Sequence, residues 1–153
     1  MLVVGRPGSP LDAAIEEYER RAGRYWNLDV VSVRASRQGG AEVDEVRRTE
    51  SERLLERVPD GWEMVALTRT GDAWPSERLA EYLSTLASAG AAGTAFLVGG
   101  AFGLSDQVVT GARHRLSLSP MTLPHELARL VLAEQLYRAG TIVRGEPYHK
   151  GRG

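Results

Sequence analysis

The sequence predicts an α/β fold, a parallel sheet with helices on both faces, and three observations carry that expectation. Short apolar runs, several of them rich in valine, alternate with amphipathic stretches of about 10–16 residues, the spacing of repeated βαβ units. The chain of 153 residues is 42% hydrophobic and 25% charged, enough for one real core and ordinary for a globular domain. No internal repeat, low-complexity tract or linker divides it, so residues 1–153 are read as one domain.

Each element has its own signal. Met1–Gly5 is a short apolar strand closed by Gly-Arg-Pro-Gly. From Leu11 to Tyr25, Leu11, Ala14, Ile15, Tyr18, Ala22 and Tyr25 recur at helical spacing with charges between, and Ser9 or Asp12 is placed to cap the start. Leu28–Val33 is a β-branched strand, and Ala35–Gly40 is a loop of small and polar residues. Val43–Val58 is a highly charged helix that Pro59-Asp60-Gly61 ends. Trp62–Leu67 is a strand followed by a turn at Thr70-Gly71-Asp72. Pro75 opens a helix to about Ala89 with Leu79, Tyr82, Leu83 and Leu86 on one face. Thr94–Val98 is the strand before Gly99-Gly100, and Ser105 caps a short helix through Ala112. Arg113–Leu118 is the last strand, Pro124 to about Ala139 the last helix, and Thr141–Lys150 a tail.

Composition excludes several functions. Without cysteine there is no disulfide, zinc thiolate or cysteine nucleophile. The apolar start is too short for a signal peptide and no run approaches a membrane span, so a soluble, cytoplasmic protein with no membrane partner is expected. Net charge is −1, but residues 107–153 hold seven basic side chains against three acidic ones. That asymmetry suits a phosphate-bearing substrate near the C-terminal part, and it equally suits an uneven solvated surface. The three scattered histidines have no metal-ligand spacing, and no Ser-His-Asp arrangement can be argued.

In an open parallel sheet, ligands bind beyond the carboxyl ends of the strands. The richest strand ends are Leu67-Thr68, Val98-Gly99-Gly100 and Ser117–Pro124, and they are expected to line one crevice. Gly99, Gly100 and Gly103 form GGxxG, which is neither a dinucleotide fingerprint nor a phosphate-binding P-loop, and a glycine turn serving only chain reversal fits it too. Apolar residues wrap most of the last helix, which suggests burial on most sides and a symmetric homodimer. On that helix Glu134 and Arg138 are spaced to pair, so Arg138 reads as a structural partner or a substrate contact. His125 lies in the first turn, where an imidazole can cap or hydrogen-bond, and His114, between two arginines, reads as a surface residue.

Together, GGAFGLS, SLSPMTLPHELARLVLAEQLYRA and RGEPYHK resemble the RlmH family of SPOUT methyltransferases, which methylate N3 of a pseudouridine in 23S ribosomal RNA. The resemblance covers the whole chain and is most specific over residues 96–150. It implies an α/β fold with a C-terminal trefoil knot, a homodimer, and S-adenosyl-L-methionine held by Leu67, Gly99, Gly100, Ser119, Pro120, Met121, Thr122, Leu123 and Pro124. It implies the assembled ribosome as substrate, with no DNA partner. A tRNA-directed SPOUT enzyme and a non-catalytic ribosomal RNA-binding module remain the rival readings.

Methylating an imide nitrogen requires removing its proton and aligning the nitrogen with the methyl donor. The resemblance and the chemistry of the tail put forward His149 as the base or as a proton acceptor through water, with Arg138 and Tyr148 orienting the uracil ring. Two departures from the family pattern stand out. Phe102 replaces a polar or acidic residue, and Gly140 replaces a large side chain, where it is expected to loosen the helix end or the dimer contact. The loop at 35–42 also matches poorly.

Overall fold

The strands Leu2–Val4 (β1), Val31–Val33 (β2), Glu63–Ala73 (β3), Thr94–Val98 (β4) and His114–Ser117 (β5) pair in parallel, in the order β2-β1-β4-β3-β5. They belong to a computed structural model that describes the chain apart from residues 6, 7, 9, 37–41 and 151–153 and the side chains of residues 149 and 150. The helices are Asp12–Ala22 (α1), Val43–Leu55 (α2), Ser76–Ser88 (α3), Asp106–Gly111 (α4) and His125–Val143 (α5), and a 3-10 turn follows at Pro147–Lys150. The expected α/β architecture is observed. Among the described residues no helix is long and apolar enough to cross a membrane.

Strand alternation divides the core into two layers. Val3, Val65, Phe96, Val98 and Leu116 pack with Leu79 and Leu83 of α3 and Leu132 and Leu136 of α5. Leu2, Val4, Ala66, Ala95 and Leu97 turn the other way, against Leu54 of α2 and Val108 of α4. Leu97, Leu132 and Ile15 are wholly buried, each stabilising the fold by roughly 1.5–3 kcal/mol on area grounds. Gly5, at φ +80°, turns the chain sharply after β1, which an L side chain would resist.

Several boundaries differ from expectation. The N-cap of α1 is Leu11, whose carbonyl already accepts from the Ile15 amide at 2.9 Å; Asp12 lies inside the helix, and Ser9 is outside the described residues. Only the last three residues of the expected second strand pair, because in the parallel register β1 begins at Leu2, opposite Val31. The expected turn at Thr70–Asp72 is instead part of β3. Leu67 and Asp72 both stand opposite Leu116, so the residues between them bulge, yet the backbone stays extended. Gly71 permits this, since a Cβ there would lie 2.5 Å from the Arg115 carbonyl oxygen.

The last helix does not stop at Ala139. It runs to Val143, with Gly140 as an interior residue buried against Tyr25, where a Cβ would come within 2.5 Å of the Tyr25 Cβ. The tail is likewise tied down. The Tyr25 hydroxyl donates to Glu146, and Tyr148 packs on Tyr137 with ring centroids 4.5 Å apart. Burial on α5 is one-sided: Leu132, Ala133, Leu136 and Ala139 are buried, whereas Leu127, Leu130 and Val131 are half-buried. Arg129 is buried too, held by Glu19 of α1 through two bonds of 2.6 and 3.0 Å.

Candidate active site

The carboxyl ends of β3, β4 and β5 meet around a cavity of about 540 Å³. Volumes of this size suit a small organic ligand. Leu67, Gly99, Gly100, Ser119, Met121, Thr122 and Leu123 all line it. Of the nine residues expected to hold a cofactor, Pro120 and Pro124 do not. Pro120 is exposed in the loop, and Pro124 stands at the N-cap of α5, where its role is to start the helix.

Glycine at the end of β4 is a packing requirement. Gly103, at φ +77°, folds back so that its amide donates to the Gly100 carbonyl at 3.0 Å. A Cβ on Gly99 would then sit 2.5 Å from the Gly103 carbonyl carbon, and one on Gly100 would sit 2.5 Å from Glu50 Oε2. The result is bare main chain along one cavity wall. Ser105 caps α4 as expected, accepting from the Val108 amide at 3.5 Å, while its own amide donates to Ser51 Oγ of α2 at 2.8 Å. This fixes the far side of the glycine turn to the layer beneath.

The opposite wall is built from β3 and the loop after β5. Ser117 Oγ lies 3.1 Å from the Arg69 carbonyl and 3.0 Å from the Ser119 carbonyl, joining the β3 bulge to that loop. Ser119 Oγ in turn accepts from the Met121 amide at 3.0 Å. Met121 is 74% exposed, an apolar side chain at the mouth of the cavity. Thr68 lines the same wall, and its hydroxyl is buried with no hydrogen-bond partner among the described residues. An orphaned hydroxyl of this kind costs stability unless a ligand or water engages it.

His125 also lines the cavity, with Nε2 3.5 Å from Glu126 Oε1 and close to Gly5, so it does not act as a helix cap. His114, expected at the surface, is half-buried instead. Its ring meets Trp74 and Tyr82 edge-on, at 5.2 and 5.1 Å between centroids. The flanking arginines obscure this in the sequence, because strand alternation sends His114 and Arg115 to opposite faces. Sequence reasoning also missed Glu50, which is buried and accepts from the Ser36 amide at 2.8 Å. Its only sequence signal is its place between helical positions that face the core.

Arg138 and Tyr148 are brought together, but away from the cavity. Arg138 pairs with Glu134 at 2.6 Å, the structural alternative for that residue, and this bond raises its pKa. Tyr148 donates to the same Glu134 oxygen at 3.1 Å, lies 3.4 Å from the Tyr18 hydroxyl, and stacks under Arg138 at 5.0 Å. Burial first, then the Tyr18 and Glu134 contacts, pushes the Tyr148 phenol well up. The side chain of His149 lies outside the described residues.

A family model described as "Predicted SPOUT methyltransferase" matches residues 1–149. Proteins called ribosomal RNA large subunit methyltransferase H are similar over nearly the whole chain. The one from Gemmatimonas aurantiaca is 48% identical over 151 residues, covering 98% of this chain and 97% of that protein. Those from an Anaeromyxobacter species and Alkaliphilus oremlandii are 45% and 40% identical, covering 98% and 92% of this chain and 97% and 91% of their own.

Proposed function

The chain belongs to the SPOUT methyltransferase family, and from that premise we propose that its cavity holds S-adenosyl-L-methionine and that it methylates a pseudouridine N3 of 23S ribosomal RNA in the ribosome. The observation that supports this most is the wall of bare main chain at Gly99 and Gly100, with Thr68 in the same lining and its hydroxyl without a hydrogen-bond partner among the described residues. These groups fit a ligand with many hydrogen-bonding edges and an apolar body, and the mixed lining of Leu67, Leu116 and Leu123 fits the remainder. When bound, the cofactor supplies an electrophilic methyl group.

The chain's own residues then have three tasks. Main-chain groups of the loop 119–123 and of Gly99-Gly100 orient the donor, and Leu118 and Ala128 help exclude water. A base removes the imide proton as the new nitrogen–carbon bond forms and the sulfur–carbon bond breaks. His149 is the base in this reading, and Arg138 and Tyr148 orient the uracil ring. Because neither Arg138 nor Tyr148 lines the cavity of its own chain, their contribution belongs to the homodimer. Leu127, Val131, Glu134 and Arg138 recur at i, i+4, i+7 and i+11, one stripe of α5 opposite the buried Leu132 and Leu136, and this stripe supports that assembly. The trefoil knot and a cytoplasmic location complete the proposal.

The test joins binding to chemistry. Calorimetry should show S-adenosyl-L-methionine binding, and tritiated methyl transfer should label ribosomes, with nucleoside mass analysis placing the methyl on a pseudouridine. H149A should lower single-turnover transfer about 10²–10⁴-fold, the usual worth of a general base, without changing cofactor affinity. Absence of cofactor binding by the intact chain would refute the reading.

A further inference from the structure

Arginines on the helices are mostly neutralised: Arg20, Arg21, Arg47, Arg48, Arg129 and Arg138 each lie within 4 Å of a carboxylate. Arg69, Arg113 and Arg115 differ. All three are exposed, and none forms an ion pair among the described residues.

Their placement is ordered by the sheet. Among the described residues β5 is an edge strand, paired only with β3. The Arg113 amide donates to the Met64 carbonyl at 2.9 Å, so the ladder begins one residue before β5. Arg115 lies within β5, and Arg113 sits at the bend that opens the strand two residues before it. Arg115 stands opposite Ala66, which belongs to the layer under α2 and α4. Asp72 stands opposite Leu116, and Glu63 accepts from the Tyr82 hydroxyl of α3 at 3.0 Å, so these carboxylates belong to the other face. Arg69 sits on the β3 bulge and lines the cavity, and the Ser117 bond to its carbonyl holds it beside β5. Asp106 lines the cavity as well, without an ion pair to any of the three.

We propose that Arg69, Arg113 and Arg115 grip the sugar-phosphate backbone of the RNA strand carrying the target base, so that this strand runs from the cavity mouth along the β5 edge. The inference rests on the function proposed above and adds a route for the substrate. Exposed guanidinium groups recognise phosphates bidentately, and unpaired ones give up little on doing so. An acidic polypeptide could also meet three arginines, but nothing would bring it to the cavity. A nucleotide whose base enters that cavity necessarily carries its phosphates to the rim.

The full-length R113A/R115A and R69A variants, with R113K/R115K as control, would be compared on deproteinised 23S ribosomal RNA and on ribosomes over a range of potassium chloride concentrations. Each arginine removed should make the slope of log affinity against log salt shallower by about 0.7–0.9. For R113A/R115A, the ribosome KM should rise roughly tenfold at physiological salt, with kcat and S-adenosyl-L-methionine affinity unchanged, and R113K/R115K should recover most of the salt slope. Unchanged slope and KM in R113A/R115A overturn the inference, as does competition by polyglutamate that displaces RNA from the wild type but not from that variant. Wild-type protein that binds RNA with the expected slope but takes no methyl donor would refute the proposed function and leave this surface standing.

Discussion

Thr68 is a residue whose sequence context gives no hint of its state. It follows Leu67 in a run that reads as the end of a strand, and only packing buries its hydroxyl without a hydrogen-bond partner among the described residues. Replacing it with valine keeps the shape and removes the orphan. Thr68→Val should therefore stabilise the ligand-free protein by about 1 kcal/mol, since no hydrogen bond is lost. The same change should weaken S-adenosyl-L-methionine binding severalfold, because the hydroxyl is then unavailable to a ligand. Urea denaturation and calorimetry on one preparation check both signs, and a stability loss would mean the hydroxyl already has a partner. The glycines at 99 and 100 are legible in the sequence, because doubled glycine after an apolar run marks a bare turn whatever surrounds it.

For single elements, the end of α5 shows how far local signals reach. Gly140 reads as a loosened helix end, yet it is an interior residue on which Tyr25 packs. In an open helix, Gly→Ala gains about 1 kcal/mol of propensity. Here the new methyl would press into the ring, and overpacking of roughly 1–3 kcal/mol opposes that gain. Gly140→Ala should lower the melting temperature, and adding Tyr25→Ala should cost less than the two single changes summed. Additive effects would show that the close approach carries no energy. The short helix α4 lies at the other extreme. Its Ser105 cap was evident from sequence because capping depends on residues three apart. The β3 bulge was not, because it depends on how Gly71 meets a strand far along the chain.

Over the whole molecule, α5 joins the fold to its proposed assembly. One side of it buries Leu132, Leu136 and Ala139, and the opposite side leaves Leu127 and Val131 half-buried beside Arg138. Light scattering should report twice the chain mass, and Val131→Glu should shift the protein towards the monomer while the far-ultraviolet circular dichroism is retained. A monomeric wild type would remove the assembly in which Arg138 and Tyr148 are to act. Neighbouring positions are enough to encode the succession of strands and helices along the chain, the glycine-rich strand ends and the family, since periodicity, turn residues and motifs are local. Packing between distant segments is what joins Tyr148 to the local Arg138–Glu134 pair outside the cavity, sets His114 against Trp74 and Tyr82, and leaves Arg69, Arg113 and Arg115 without an ion pair among the described residues. The physical reason is that a side chain's partners are set by which distant segments share a face of the sheet, and local spacing does not encode that.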